Sequence, residues 1–308
     1  MMNIREIASG LQFPEGPVAL SDGSVVLVEI ARGTISRVTP DGRVEVVAAP
    51  GGGPNGAAIG PDGALYVCNN GGFNWYHDPQ HGLRPTGQAD DYSGGRIERV
   101  HLGTGKVERV YDCVDGRGLR GPNDLVFDAD GGFWFTDLGK TRAREMDLGG
   151  VYYARADGSA IREAAHPVVT ANGTALSPDG RTLYVCESIS ARLWAFDIDA
   201  PGHLSRLPFP SPAGGRLVHV ASGYARFDSM CVDAFGNALV ATLLNGGISV
   251  ISPDGRIVSH LPLPDAYVTN CCFGGSDLRT LYVTLSCTGK LVAIDDWPVP
   301  GLRLAYNA

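Results

Sequence analysis

Short stretches in which apolar and polar residues alternate recur along the chain, each entered through a tight turn. The clearest copies are SDGSVVLVE from Ser21, PDGALYVCN from Pro61, ADGGFWFTD from Ala129, PDGRTLYVCE from Pro178, AFGNALVAT from Ala234 and SDLRTLYVTL from Ser276. Asp-Gly supplies the positive-φ turn that joins antiparallel strands, and alternation with a period of two is typical of a half-buried strand. The pattern predicts six copies of one strand–turn–strand unit.

Two further features return with every copy. An apolar strand that begins just after a polar residue precedes it, and a second β-like run follows it, from GTISRV at Gly33 to GKLVAID at Gly289. Most copies then reach another turn and a fourth strand. Four strands in each of six units predict an all-β fold, a six-bladed β-propeller with four-stranded blades around a central channel. A β-sandwich does not explain why the same order returns six times.

The repeat occupies nearly the whole chain, and no linker or low-complexity stretch divides it. We therefore expect one domain over residues 1–308. The N-terminal run NIREIA is expected to complete the last blade, because closure of the ring protects the edge strands.

Two long segments interrupt the repeat, 69–93 in the second unit and 137–148 in the equivalent place of the third. Long loops in compact domains are often functional. If the first strands start on the face that carries an axial site, both insertions return to that face. We predict a lid with substrate contacts from Trp75, Tyr76, His77 and His81, and anchors for an acidic substrate at Lys140, Arg142 and Arg144. The alternative is that these charges are solvated loop tips and the aromatic residues a local mini-core.

Composition and charge narrow the possible partners. The net charge is −8 with no basic run, so the footprint expected of a nucleic-acid binder is missing. No apolar run approaches the roughly 20 residues that a membrane-spanning helix needs. The start of the chain is not a convincing secretion signal, and the seven cysteines show no C-x-x-C spacing. These features predict a cytoplasmic protein with free cysteines.

The residue that opens the first strand of each unit is expected to point toward the propeller axis. Those six residues are Glu15, Asn55, Asn123, Asn172, Asp228 and Asn270. Every one carries a carboxylate or carboxamide oxygen, and oxygen ligands suit a hard cation such as Ca²⁺, Mg²⁺ or Mn²⁺. A single Asn could instead be a turn residue whose side chain caps the backbone. Six oxygen-bearing residues at one repeat position favour a divalent-cation site.

Five segments also carry a family resemblance: FPEGP at Phe13, GPNDLVFD at Gly121, ANGTALSPDGRTLYV at Ala171, FDSMCVDAFGNALVA at Phe227 and VTNCCFGGSDLRTLYVT at Val268. They resemble the senescence marker protein (regucalcin), gluconolactonase and luciferin-regenerating-enzyme family, in the family's order. The resemblance implies a propeller that opens lactones with one divalent cation, most often Ca, with Mg, Mn, Zn or Fe also possible. It implies metal ligands at Glu15, Asn172 and Asp228.

The resemblance further implies that Asn123 contacts substrate or metal. Sugar-lactonase members of the family have an arginine two residues before that asparagine, where this chain has Gly121, with Arg120 one step further away. Asn55, Arg120, Trp75 and His77 complete the predicted substrate-binding set.

The expected activity is metal-dependent hydrolysis of a small lactone, a gluconolactone-like sugar-acid lactone, with Asp228 as the candidate catalytic base. No Gly-x-Ser-x-Gly elbow is present, which disfavours a covalent mechanism. Hydrolysis of another ester or a phosphotriester at the same metal is an alternative. A non-catalytic propeller that binds a small ligand is another, because fold does not fix function. The expected partner is the small-molecule lactone, and the protein is expected to be a monomer or homodimer.

Overall fold

A computed structural model describes residues 3–306, which form 29 β-strands and no helix. Six sheets surround a common axis, so the predicted six-bladed propeller is confirmed. Each inner strand contacts the inner strands of the blades before and after it, and the sixth contacts the first. No helix in residues 3–306 could cross a membrane.

The strands follow the chain blade by blade, except that the first one, β1 (Ile4–Ala8), joins the last blade. Blade one contains β2 (Pro14–Ala19), β3 (Val25–Glu29), β4 (Thr34–Val38) and β5 (Val44–Ala48). Blade two contains β6 (Pro54–Ile59), β7 (Leu65–Asn69), β10 (Arg96–His101) and β11 (Lys106–Tyr111), with the inserted hairpin β8 (Phe73–Asp78) and β9 (Gly82–Gln88). The short strands β12 (Cys113–Val114) and β13 (Arg117–Gly118) lead to blade three, which contains β14 (Pro122–Phe127), β15 (Gly132–Asp137), β16 (Gly150–Arg155) and β17 (Ile161–Ala165).

Blade four contains β18 (Ala171–Leu176), β19 (Thr182–Glu187), β20 (Arg192–Ala200) and β22 (Arg216–Val220), with a short extra strand, β21 (His203–Leu204). Blade five contains β23 (Arg226–Val232), β24 (Ala238–Leu243), β25 (Gly247–Ile251) and β26 (Val258–Pro262). Blade six contains β27 (Val268–Gly274), β28 (Thr280–Leu285) and β29 (Lys290–Ile294).

The ring closes through the N-terminal strand, as predicted. β1 pairs antiparallel with β29, with Ile4 opposite Ile294, and Arg5 forms an ion pair with Asp295 at 3.1 Å. β1 is the outermost strand of blade six, so the two ends of the repeat are held in one sheet.

The core lies between neighbouring blades. One cluster joins blades three and four through Trp134, Val151, Leu183, Trp194 and Phe196, all at most 5% exposed. Each such side chain contributes about 1.5–3 kcal/mol relative to exposure. Burial of both faces of the middle strands explains why LYVC and FWF appear as continuous apolar runs.

The C-terminal segment crosses the end of the channel opposite the polar strand entrances. The Leu302 amide donates to the Val232 carbonyl at 2.9 Å, and the Tyr306 ring packs against Phe127 at 5.8 Å between centroids. Leu302 and Tyr306 line a cavity of about 110 Å³ at that end of the channel. The segment therefore covers one mouth of the channel and leaves the other to the insertions.

Candidate active site

Every inner strand breaks its register with the next strand at the predicted axial position. In β6 the break lies between Pro54 and Ala57, and in β18 between Ala171 and Thr174. The same irregularity occurs in β2, β14, β23 and β27. A bulge leaves residues unpaired and re-aims their side chains. In blades one to five the bulges thus direct one polar side chain each toward the axis.

Five of the six predicted axial residues line one cavity of about 550 Å³. They are Glu15, Asn55, Asn123, Asn172 and Asp228, and each is at most 8% exposed.

The sixth prediction, Asn270, is wrong by one residue. Counting back from the paired residues Cys271 and Val283 gives Thr269 as the equivalent of the other axial residues. Thr269 donates or accepts hydrogen bonds with Thr284 and Ser286 and does not line the cavity. Asn270 lies in the layer below, where its Nδ2 donates to Glu15 Oε2 at 2.7 Å. It therefore positions a proposed ligand instead of being one.

Hydrogen bonds fix two of the axial side chains. Glu15 Oε2 accepts from the Gly16 amide at 2.6 Å as well as from Asn270. Asn172 Nδ2 donates to Ser188 Oγ at 2.8 Å, which leaves the Asn172 Oδ1 free to face the axis except for a long contact of 3.5 Å from Ser229 Oγ.

Two buried oxygens in the site have no hydrogen-bond partner among residues 3–306, Asn55 Oδ1 and Asn123 Oδ1. A buried acceptor without a donor costs about 1–3 kcal/mol. A cation, or a donor on a bound substrate, would offset that cost. The oxygens therefore point to a ligand in the cavity.

The buried carboxyl groups oppose one another. Burial raises the pKa of Glu15 to about 7 against hydrogen bonds from Asn270 and Gly16. Burial, followed by the charge of Glu15, raises the pKa of Asp228 well above its usual range. A third carboxyl, Asp124, lies behind them, and burial and then Glu15 raise its pKa to about 7. Asp124 does not follow from the repeat positions; the N-D pair in GPNDLVFD was the available signal.

The chemistry of this donor set fits a hard divalent cation. Two carboxylates face the cavity, and a cation between them would relieve their repulsion and desolvation. No group of three His, Cys, Asp or Glu side chains in the described range could hold a metal. A bound ion would therefore depend on the amide oxygens of Asn172 and its neighbours, which Ca²⁺ accepts readily.

Both insertions reach the cavity, as predicted, but through other residues than those predicted. Phe73, Arg84, Pro85, Thr86 and Gly87 come from the β8–β9 hairpin, and Leu138 and Thr141 come from the second insertion. Arg226, Tyr224 and Tyr267 also line this cavity.

The remaining predicted contacts do not line the cavity. Trp75 packs on Phe13 with ring centroids 5.0 Å apart, and His77 is exposed, as are Tyr76 and His81. Trp75 therefore belongs to a local mini-core of aromatic residues, which was the alternative to a substrate contact in the lid. Arg120 is exposed on the chain before β14, where its amide donates to Asp137 Oδ2 at 2.8 Å. At Gly121 a Cβ would lie 2.5 Å from the Gly139 carbonyl oxygen, so the family's arginine has no room there.

The predicted anchor Lys140 is instead a buried link between the two insertions. Its Nζ donates to Asn70 Oδ1 at 3.0 Å and to the Gly72 carbonyl at 2.8 Å, and lies 3.9 Å from the Phe73 ring centroid. Arg142 is paired with Asp147 at 2.9 Å, and Arg144 is exposed. The anchor prediction is wrong for Lys140 because the side chain is used in packing the hairpin.

The stability of this link should depend on pH. Burial lowers the pKa of Lys140 to about 7, against the charges of Asp137 and Asp147. Between that pKa and the ordinary lysine pKa near 10.4 the unfolded chain binds more protons than the folded one, so stability rises with pH. We expect the free energy of unfolding of the wild type, measured with denaturant, to rise relative to that of Lys140→Met. The rise should be up to about 1.4 kcal/mol per pH unit above pH ~7. Lys106→Met, at an exposed site, is the control. A difference that stays constant or shrinks as the pH rises would contradict a lowered pKa for Lys140 in the folded protein.

The sequence is similar to that of known proteins over most of its length. A family model described as the SMP-30/gluconolactonase/LRE-like region matches residues 13–287. The chain is 30% identical over 312 aligned positions to a gluconolactonase from Zymomonas mobilis, covering 92% of this chain and 79% of the relative. It is 31% identical over 263 positions to lactonase drp35 from Staphylococcus saprophyticus, covering 83% and 71%. The calcium-binding protein regucalcin from Agrobacterium tumefaciens has the same fold, with a TM-score of 0.73 at 19% identity over 98% of both chains.

Proposed function

The chain belongs to the SMP-30/gluconolactonase/LRE-like family, and from this premise we propose that it is a lactonase with one divalent cation on the propeller axis. Two relatives that match most of the chain carry the names gluconolactonase and lactonase, which supports hydrolysis of a lactone. The observation that carries the metal part is the convergence of buried Glu15 and Asp228 with the partnerless oxygens of Asn55 and Asn123.

Glu15, Asn172 and Asp228 would hold the cation. Their donor atoms are all oxygens, which suits Ca²⁺ best and Mg²⁺ or Mn²⁺ next, whereas Zn²⁺ and Fe²⁺ prefer sites that include nitrogen or sulfur. When bound, the cation polarises the lactone carbonyl and acidifies a nearby water.

Asp228 is the proposed general base. Its carboxylate lines the cavity beside the place proposed for the cation, where it could accept a proton from the attacking water. Glu15 is poorly placed for that role, because one of its oxygens already accepts two hydrogen bonds. Asn55 and Asn123 present side chains that can orient the lactone, and the apolar wall formed by Phe13, Ile30 and Leu243 excludes bulk water.

Chelation tests the proposal directly. Purified protein is assayed against neutral and acidic sugar lactones, simple lactones, aryl esters and phosphotriesters, before and after treatment with a chelator and after return of Ca²⁺, Mg²⁺ or Mn²⁺. We expect lactone hydrolysis to be lost with the metal and restored by it. We also expect the thermal midpoint to rise when the metal is returned. At a free metal concentration of a hundred times Kd, the free energy of unfolding should increase by about 2.7 kcal/mol.

Two results contradict the proposal in different ways. Lactonase activity that is indifferent to chelation would remove the metal and leave the lactonase. Turnover of aryl esters or phosphotriesters with every lactone left intact would keep the metal site and replace the substrate class.

A further inference from the structure

The cavity above the axial site has four charged residues in its wall, and two of them are arginines. Glu15 and Asp228 belong to the axial set, whereas Arg84 and Arg226 stand above it. Neither guanidinium has a hydrogen bond or ion pair with any residue from 3 to 306. The Arg84 guanidinium lies over the Tyr76 ring, 4.9 Å from its centroid, and the Asp78 carboxylate of the same hairpin is within its electrostatic reach. Elsewhere a buried arginine such as Arg96 is paired with Glu98 at 2.5 Å.

The backbone on both sides of Arg84 is fixed to other blades. The Leu83 amide donates to the Cys287 carbonyl of blade six at 3.0 Å, and the Gln88 amide donates to the Thr141 carbonyl of the second insertion at 2.9 Å. The Lys140 link adds a third attachment of the same hairpin. Arg84 therefore reaches the cavity from a segment attached to blades three and six, although it belongs to blade two.

Arg226 reaches the same space from blade five. It is the first residue of β23, two positions before Asp228, and pairs with Leu243, which also lines the cavity. Tyr267 lies within electrostatic reach of both arginines: burial raises its pKa, while Arg226 and Arg84 act against that rise. Both guanidiniums thus line one cavity and act electrostatically on the same tyrosine of its wall.

The charge of the loaded site is then unbalanced. A divalent cation would offset Glu15 and Asp228, whereas no further acidic residue within 3–306 lines the cavity to offset the two guanidiniums. A partly buried, unpaired guanidinium is costly, and its five fixed donors match a carboxylate. A neutral lactone would leave both arginines without a partner.

We propose that the physiological substrate is a lactone that carries an additional carboxylate, which Arg84 and Arg226 bind while the ring carbonyl faces the axis. The inference rests on the proposed lactonase function. It assigns the recognition of an acidic substrate to these two residues in place of Lys140, Arg142 and Arg144.

The test compares matched lactones. Glucarolactone, which keeps a free carboxylate, is compared with neutral glucono-δ-lactone. In the same way, γ-carboxy-γ-butyrolactone is compared with unsubstituted γ-butyrolactone. We expect the acidic member of each pair to have the higher kcat/KM. Arg84→Gln and Arg226→Gln should each lower the acidic-to-neutral ratio about 10- to 100-fold, chiefly through KM, since a charged hydrogen bond contributes about 1.5–3 kcal/mol. Arg84→Lys and Arg226→Lys should restore part of the ratio.

Arg144→Gln is the matched control, because it removes the same charge from an exposed position outside the cavity wall. Its ratio should equal that of wild type. Thermal melts establish that each variant is folded. A second readout needs no turnover: calorimetric titration with glutarate, a dicarboxylate without a lactone ring, should show binding that weakens at high ionic strength and is lost in both glutamine variants.

The outcomes separate this inference from the proposed function. Hydrolysis of neutral and acidic lactones with equal efficiency, unchanged in the glutamine variants, would overturn the inference and keep the lactonase. No hydrolysis of any lactone, with arginine-dependent glutarate binding, would overturn the lactonase and support an anion site. Absence of both hydrolysis and glutarate binding would overturn both.

Discussion

Replacing Asp228 with asparagine is expected to raise the thermal midpoint of the metal-free protein and to abolish its stabilisation by a divalent cation. Asp228 is buried, and burial and the neighbouring Glu15 and Asp124 all disfavour its charged form. A neutral side chain of the same shape removes that repulsion. We expect a gain on the order of 1–3 kcal/mol, which is a rise of a few degrees in a chain of this size.

The same substitution should weaken metal binding by at least about a hundredfold, since loss of even an outer-shell partner of a metal ligand costs about 10- to 100-fold. Lactonase activity should fall with it, because Asp228 is both ligand and base in the proposed site. Calorimetric titration with Ca²⁺ and melts with and without chelator measure the two effects on one preparation.

Asp179→Asn is the control for this experiment. Asp179 lies in an outer turn, where the Ser177 hydroxyl, followed by the Arg181 amide, lowers its pKa. Its replacement should slightly destabilise the protein and leave metal affinity unchanged. If Asp228→Asn instead lowers the midpoint of the metal-free protein, the carboxylate is stabilised by the chain itself and the account of repulsion is wrong.

Replacing Gly173 with alanine is expected to damage both the fold and the site. A Cβ at Gly173 would lie 2.6 Å from the Asp228 carbonyl oxygen and 2.7 Å from Ser229 Cα, which are backbone atoms of the next blade. The added methyl group must push β18 and β23 apart. Such overpacking costs about 1–3 kcal/mol and occasionally more. Because Asn172 and Asp228 flank the contact, metal affinity should fall as well.

Gly180→Ala separates the steric effect from the general loss of a glycine. Gly180 has a φ of +68° but has nothing within 4 Å of a Cβ. It should cost only the strain of its conformation, about 1 kcal/mol, without changing metal affinity. Urea unfolding and Ca²⁺ titration of both variants provide the comparison. Equal losses at the two positions would contradict the close-approach explanation.

The Gly173 contact also explains part of the N-G motif in physical terms. Gly56 of β6 and Gly173 of β18 both lack a Cβ where the next inner strand approaches, and the facing residues, Asp124 and Ser229, carry side chains. The glycine is required by packing between blades, whereas the asparagine before it faces the cavity. Only the second role was inferred from the sequence.

Errors in the predicted site arise where a contact depends on register or on a distant segment. Asn270 was placed on the axis because its polar neighbours resemble those of the other units, yet the bulge in β27 leaves Thr269 in that position. Lys140 was predicted to anchor an acidic substrate because it lies in a charged insertion, yet it is buried against Asn70 and Phe73, about 70 residues away in the sequence.

From the sequence we could predict the six-bladed ring, its closure by the first strand, and five of the residues that line the axial cavity. Those features repeat every blade and depend on alternation and turns over a few residues, so each copy supports the others. The packed fold was needed to show that Asp124 lies behind Glu15 and that Arg84 reaches the cavity. It was also needed to show that Lys140 joins the insertions. These contacts occur once, between segments that are far apart in the chain, and their geometry follows from how the blades pack around the axis.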